Sequence, residues 1–498
     1  MQYAVQRDIY ASPKKRTTTH TMPYQILRRV LCLPLLSLCL LTTDGALAGD
    51  KEPGPDATPA SAARAVILII GDGMDEQQIT IARNYLHGAS GRLLLDQMPL
   101  RSNSQILATE DNMSGRPVYV SDSANTATSM ATGAVTSRKR IATSAGSDQD
   151  LETIVELAAQ NGYRTGVVTT SSVTDATPAA FATHISHRLC ENPDNMEEVS
   201  YLDIFLAACP ADMKANGGKG SIAEQLVESP LDVILGGGSK HFAPMAEGAN
   251  VSVLELARQL GFEVVVSREE LVQAGSSGRL LGLFSRSTMP VRLQGENGRS
   301  AEEPEASALN HLHRYLGEVT LPEPMNCEPN RAAAAMPSLR MMTETALNRL
   351  SKDNPKGFFL MVESASIDKQ SHERKPCGSI GELQQLEEAL ASALNHAQSH
   401  PNTLVLVTAD HSQAAQLVPF ESHYAEYPIP VYTPGKMARI RTPEGSLLAV
   451  NYATNSFSHE EHTGASVPLF SNEEGLGRVP AYITQPELFT IMRDYLGL

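Results

Sequence analysis

Asp368 and His372 are four residues apart, so one helical turn places a carboxylate and an imidazole on the same face, within reach of one cation. Asp410 and His411 are adjacent at the end of an apolar run, where a tight chain reversal turns both inward. Glu460-Glu461-His462-Thr463-Gly464 and Asp72 add further oxygen and nitrogen donors. This mixture suits zinc, and a harder all-oxygen subsite beside it suits magnesium. On pattern alone His423 and His459 compete for the same role. A nucleophile is offered within Ser121-Asp122-Ser123-Ala124-Asn125-Thr126-Ala127-Thr128-Ser129, whose small residues read as the start of a tightly packed helix. There, free N–H groups favour an anion such as phosphate. Ser123 would serve equally well as a plain helix N-cap, and spacing leaves both readings open.

The elements that must position these residues are legible as alternating strands and helices. Ala65–Ile70 is a continuous apolar run ending at Gly71, as expected of a strand buried on both faces. Similar runs occur at Gly166–Val168, Val233–Leu235, Phe358–Val362 and Leu404–Val407. Helical patterns lie between them, at Leu151–Gln160, Val253–Leu260, Met341–Leu350 and Ile380–Ala397. The alternation predicts an α/β fold, a three-layer sandwich with a large, mostly parallel central sheet flanked by helices. Asp72, Glu363, Asp368, Asp410 and His411 all follow predicted strands, and ligands in open α/β sheets bind beyond the carboxyl ends of the strands. One such carboxylate means little, since Gly-Asp-Gly is a common turn. Three strand ends converging on one edge make a site.

Of the 498 residues, 40 are Lys or Arg and 56 are Asp or Glu, giving a net charge of −16. A surface so acidic argues against nucleic acid as a partner, and an anionic substrate would need metals or focused arginines to overcome it. Arg28-Arg29, the apolar Val30–Leu41 and Ala46-Leu47-Ala48 read as a signal peptide over residues 1–48, with an extension ahead of a second start candidate, Met22. The apolar run is too short to span a bilayer comfortably, so no membrane association is expected after cleavage. Residues 49–63 read as a flexible lead-in and 64–498 as one catalytic domain, with inserts near 284–330 and 418–459. Past the leader, Cys190, Cys209, Cys327 and Cys377 remain; an even number in an exported chain suggests two disulfides, with three connectivities open. Periplasmic or secreted location follows as the expectation.

With these residues in view, the sequence resembles the bacterial alkaline phosphatases. The resemblance runs from about Arg64 to the C-terminus. It is carried by Ile69-Ile70-Gly71-Asp72-Gly73-Met74, Asp122-Ser123-Ala124, Asp175-Ala176-Thr177-Pro178-Ala179-Ala180 and Ser186-His187-Arg188, then by the stretch Glu363 to His372, Thr408-Ala409-Asp410-His411 and Glu461-His462-Thr463-Gly464. It implies a metal-dependent phosphomonoesterase, active on small-molecule phosphate monoesters at alkaline pH, with two zinc ions and one magnesium ion, working as a homodimer. It implies Ser123 as the nucleophile that becomes phosphoserine and Arg188 as the phosphate clamp. Asp368, His372 and His462 would ligate the first zinc, and Asp72, Asp410 and His411 the second. Asp72, Thr177 and Glu363 would serve magnesium, with Asp175 and Lys369 acting through water. The resemblance also implies the pairs Cys190–Cys209 and Cys327–Cys377. Two departures stand out: Asp75 where the family often has Gly, adding negative charge with an expected effect on ion affinity or pH optimum, and Ser364 after the magnesium glutamate. A sulfatase would need Cys-x-Pro-x-Arg or its Ser form, which Asp122-Ser123-Ala124-Asn125-Thr126 is not. Phosphodiesterases usually lack the magnesium set and a match to Arg188. A non-catalytic binding protein would have lost the nucleophile or a ligand. A streptomycin-phosphate phosphatase would carry the same set and differ only in its alcohol.

Overall fold

The computed structural model describes residues 63–498 apart from 202, 314, 425 and 428–433. The leader expected over 1–48 and all but the last residue of the lead-in expected over 49–63 lie outside the described residues. The centre is a ten-stranded sheet. Its strands are β1 (Arg64–Gly71), β2 (Leu100–Gln105), β3 (Arg164–Ser172), β4 (Val233–Gly237), β5 (Phe262–Val265), β6 (Arg279–Leu283), β7 (Gly357–Ser364), β8 (Thr403–Ala409), β9 (Val467–Ser471) and β10 (Tyr482–Thr484). Across the sheet they lie in the order β10-β2-β9-β8-β1-β7-β3-β4-β6-β5. All neighbours pair in parallel except those of β9, which is antiparallel to both β8 and β2.

The apolar runs explain this placement. On β1, Ile67 and Ile69 face one layer while Val66, Leu68 and Ile70 face the other, and all five are fully buried. A strand wet on one face would alternate apolar with polar residues; β1 does not, and it sits in the middle. The first layer holds α1 (Glu76–His87) and, later in the chain, the long helices Leu339–Ser351 and Pro376–Ser399, which contribute Ile79, Met342, Leu383 and Leu386. The second holds α2 (Ser123–Thr132), α3 (Ile154–Gln160) and the C-terminal helix Gln485–Leu496, through Ala127, Met130, Ile154, Leu488 and Met492.

The two inserts are built against each other. The stretch 284–330, expected to be irregular, contains short strands at Leu293–Gly295, Glu305–Ala306, Val319–Thr320 and Cys327–Pro329. The stretch 418–459 supplies most of a three-stranded antiparallel sheet formed by Gln416–Val418, Leu447–Tyr452 and Lys436–Arg441. Glu302 and Met437 exchange backbone hydrogen bonds of 2.8 and 2.9 Å, and Met325 bonds Arg439 and Arg441. Cys327 is disulfide-bonded to Cys377, which fixes the first insert to the start of the helix Pro376–Ser399. Cys190 is disulfide-bonded to Cys209.

On the second layer, His184 Nε2 donates to the Glu156 carboxylate of α3 across 2.9 Å, while Glu156 also closes a capping box with Thr153. Burial opposes ionisation of both partners, but the His184 hydrogen bond and charge, with Thr153, bring Glu156 down to about 2. Against the same desolvation, Glu156 raises His184 above its ordinary 6.5. The Glu156 contribution is present above its ordinary 4.5 and is lost as pH falls through about 2. The His184 contribution is present below 6.5 and is lost as pH rises through its elevated value. His184→Gln is therefore expected to cost about 2 kcal/mol, most strongly between those two ordinary values. Thermal unfolding of chelator-treated protein against pH checks this: the gap between wild type and variant narrows on both sides of the window.

Candidate active site and metal centre

The site lies at the carboxyl edge of the sheet, and the topology explains why. Asp72 directly follows β1, Glu363 is the penultimate residue of β7, and Asp410 and His411 directly follow β8. Register places Ile70 beside Glu363, and Gly71 beside both Ser364 and Ala409, so the three strands end level. The short helix Ser366–His372, hereafter the ligand helix, leaves β7 at once and carries Asp368 and His372 one turn apart. His462 reaches the same edge because β9 runs backwards, bringing the segment before it to where the other strands end. Gly73 makes the crossing possible: at φ +69° its missing side chain leaves room for the Asp368 backbone, which would sit 3.1 Å from an added Cβ.

Ser123 is the first residue of α2, 3% exposed, with its Oγ 3.1 Å from Nε2 of His411. The helix is capped by Asp122, which accepts the Asn125 N–H while the Asn125 side chain accepts the Asp122 N–H. The Ser123 hydroxyl is thus not spent on capping. Asp122 also faces Arg188 across 3.5 Å.

Ligand atoms of Asp368, His372 and His462 lie within 4.8 Å of one another, and so do those of Asp72, Asp368 and His411. Asp410 stands beside the second group, its Oδ2 3.4 Å from the His411 Nε2. The resemblance grouped Asp72 with Asp410 and His411; the geometry adds Asp368, shared by both groups. His423 and His459 are exposed and stand in neither group.

The donors fit cations. The Nδ1 of His372 lies against the Glu460 carbonyl and that of His462 against the Ser121 carbonyl, at 2.5 and 2.8 Å, so each Nδ1 carries the proton. In the neutral imidazoles each Nε2 presents a lone pair, and the two lie 3.0 Å apart. Two lone pairs do not bond each other; a metal cation between them resolves the arrangement, and without one a proton on His372 does. Without the metal, burial is outweighed by the charge and hydrogen bond of Asp368, which lift His372 to about 9. His411 is pushed down to about 4 by burial and stays neutral. Asp72 Oδ1 and Asp410 Oδ2 are buried and accept no hydrogen bond, the state expected of oxygens that face a metal. Burial, then the charges of Asp410, Asp368 and Glu363, push the Asp72 carboxyl well up. Burial and Asp175 raise Glu363 to about 7, although it accepts from the Thr169 and Ser171 hydroxyls.

Asp175 caps the short helix Ala176–Ala179, in which Thr177 is buried. One Asp175 oxygen accepts from Arg188 at 2.8 Å and the other from Lys369 at 2.5 Å. Burial opposes its ionisation, but those two cations hold its pKa well below the usual carboxylate range. Arg188 comes two residues before Cys190, so the Cys190–Cys209 bridge restrains its loop. Beside Lys369 lies a cavity of about 390 Å³, walled by Gln294, Arg299 and Asn330 of the first insert, by Gln370 of the ligand helix and by Glu373 just after it.

One contributor escaped the sequence reading. Gln413 is buried, and its Nε2 donates to Asp368 Oδ1 at 2.5 Å. Only its place two residues after His411 hinted at this, because a glutamine amide has no distinctive pattern.

Comparison with known proteins places this architecture. A family model described as alkaline phosphatase matches residues 63–476. A streptomycin-6-phosphate phosphatase of Streptomyces griseus is 38% identical over 476 residues, covering 95% of this chain and 98% of that protein. An alkaline phosphatase of Escherichia coli K12 is 36% identical, covering 91% of this chain and 90% of that one. Among solved structures, the alkaline phosphatase of Thermus thermophilus superposes with a TM-score of 0.61 at 21% identity, covering 90% and 96%; at that identity the likeness concerns the fold.

Proposed function

Since this chain belongs to the alkaline phosphatase family, whose activity is the hydrolysis of phosphate monoesters, we propose that it does so through a phosphoserine formed on Ser123, with two zinc ions and one magnesium ion. The observation that carries the reading is the Ser123 hydroxyl, uncommitted to its helix cap and directed at His411 of the second ligand group. Asp368, His372 and His462 would hold one zinc, Asp72, Asp410 and His411 the other, with Asp368 at the margin of both groups. Asp72, Thr177 and Glu363 would hold magnesium. When bound, these cations supply the charge that neutralises a phosphate dianion and ease loss of the serine proton.

The chain's own groups do the rest. Ser123 Oγ forms a bond to phosphorus as the ester oxygen departs with the alcohol; water then breaks the Oγ–P bond and releases phosphate. Arg188 presents a planar fork to two phosphate oxygens. Asp175 holds that fork and the Lys369 ammonium in place and keeps both charged. A serine that must lose its proton favours alkaline pH. The four cysteines, paired in the structure, support export, and no described helix is long and apolar enough to cross a membrane. We place the protein in the periplasm or outside the cell, as a single catalytic domain over 64–498 that works as a homodimer.

The test is hydrolysis of p-nitrophenyl phosphate by the purified protein at pH 8 to 10, before and after chelation. Turnover lost on chelation and restored by zinc plus magnesium is expected. A folded, zinc-loaded protein that leaves this ester intact ends the monoesterase reading.

A second reading concerns the alcohol. The Streptomyces griseus relative is named for streptomycin 6-phosphate, and the cavity beside Lys369, whose walls include Gln294, Arg299 and Asn330, offers room for a hydroxylated alcohol. Comparing kcat/KM for streptomycin 6-phosphate and p-nitrophenyl phosphate decides it: a generalist treats them within about tenfold, a specialist does not.

A further inference from the structure

Asp75 is 7% exposed and uses both carboxylate oxygens. Its Oδ1 caps α1, accepting the N–H groups of Gln77 and Gln78 at 2.9 and 3.0 Å. Its Oδ2 turns the other way and accepts the Ser412 hydroxyl at 2.6 Å, with the Gln413 N–H at 3.4 Å. Ser412 Oγ is in turn 2.7 Å from Thr463 Oγ1, and the Thr463 N–H reaches the Ser412 carbonyl at 3.2 Å. Ser412 follows His411, Thr463 follows His462, and Gln413 holds Asp368.

A carboxylate only accepts, and Ser412 has one proton to give. Ser412 must donate it to Asp75 and therefore accepts from Thr463. The charge on Asp75 thus fixes the direction of the whole relay, Thr463 to Ser412 to Asp75. It also ties together two loops that are joined nowhere near each other in sequence. We propose that Asp75 is a positioning residue for the metal centre: it locks the turn bearing Asp410 and His411 to the loop bearing His462, and steadies Gln413 against Asp368. The proposal rests on the reading that those residues hold metal.

Asp75→Asn separates this role from helix capping. Asparagine caps a helix as well as aspartate does. Its amide, however, donates where the carboxylate accepted, so the relay must reverse and the Gln413 N–H meets a donor. Zinc affinity, read by competition with a chromogenic chelator on the metal-free protein, is expected to fall about 10- to 100-fold. Thermal unfolding of the same metal-free protein is expected to change little. Ser412→Ala removes the relay and leaves the cap intact, so it is expected to weaken zinc in the same direction and decides the matter if Asp75→Asn does not fold. Wild-type zinc affinity in both variants overturns the proposal while leaving the metal site standing. A fall in metal-free stability with unaltered zinc affinity overturns it in favour of a plain cap. A wild-type protein that fails to compete for zinc overturns the metal reading itself.

Discussion

Ser123→Ala is expected to lower kcat for p-nitrophenyl phosphate by about 10³-fold or more, the scale on which enzymes lose rate with their nucleophile. The structure makes this a clean test. Asp122, not Ser123, caps α2, and alanine is the best helix former, so the exchange removes one buried hydroxyl and little else. Neither ligand group loses a member, so zinc content should match that of wild type. The residual rate would come from water attacking an ester still gripped by Arg188 and the cations. Acid quenching during turnover with labelled substrate gives the complementary reading: labelled protein from wild type, none from the variant. Equal rates in the two proteins would exclude a covalent role for Ser123.

The second large effect is expected at Asp368, the one carboxylate common to both ligand groups. Binding of a four-coordinate zinc is worth roughly 10–16 kcal/mol, so one ligand accounts for roughly a quarter of that, and Asp368→Ala should weaken zinc by about 10² to 10³-fold. The same change frees the Gln413 amide and removes the charge that holds His372 near 9. Because Asp368 touches both groups, zinc stoichiometry should drop by more than a single-site loss of affinity would suggest. Metal analysis after gel filtration checks this, and His423→Ala, at an exposed histidine outside the cluster, serves as the unaltered control. Full zinc retention in Asp368→Ala would refute the assignment of that carboxylate.

Much of this was legible because the central strands are buried on both faces. Runs such as Ala65–Ile70 and Phe358–Val362 have no polar alternation to confuse them, and each lies within an observed strand, β1 or β7. Helices fared nearly as well: the pattern over Ile380–Ala397 marks the helix Pro376–Ser399, whose first turn, Pro376-Cys377-Gly378-Ser379, carries no helical apolar pattern and whose end no glycine marks. The other half of the sheet was not legible. Leu100–Gln105 reads LRSNSQ, with little apolar signal, and becomes a strand because β9 and β10 are there to pair with it. The reversed β9 is likewise a tertiary fact, and it is what delivers His462. Site residues were named from residue type and resemblance; their convergence, the sharing of Asp368 and the entry of Gln413 depend on register, which no local pattern encodes.

The position of β1 has a consequence for how the molecule is made. Its two neighbours, β7 and β8, arrive far later in synthesis; the Gly73 N–H waits for an Asp410 oxygen 337 residues further along. Until then the most apolar segment of the domain has no partner on either edge. Contacts so distant along the chain make folding slow, and an unpaired apolar strand in the meantime invites aggregation. The centre of the sheet therefore closes only after β8 has been made, although its first strand, β1, is synthesised first. Refolding from denaturant should therefore call for dilute protein and patience.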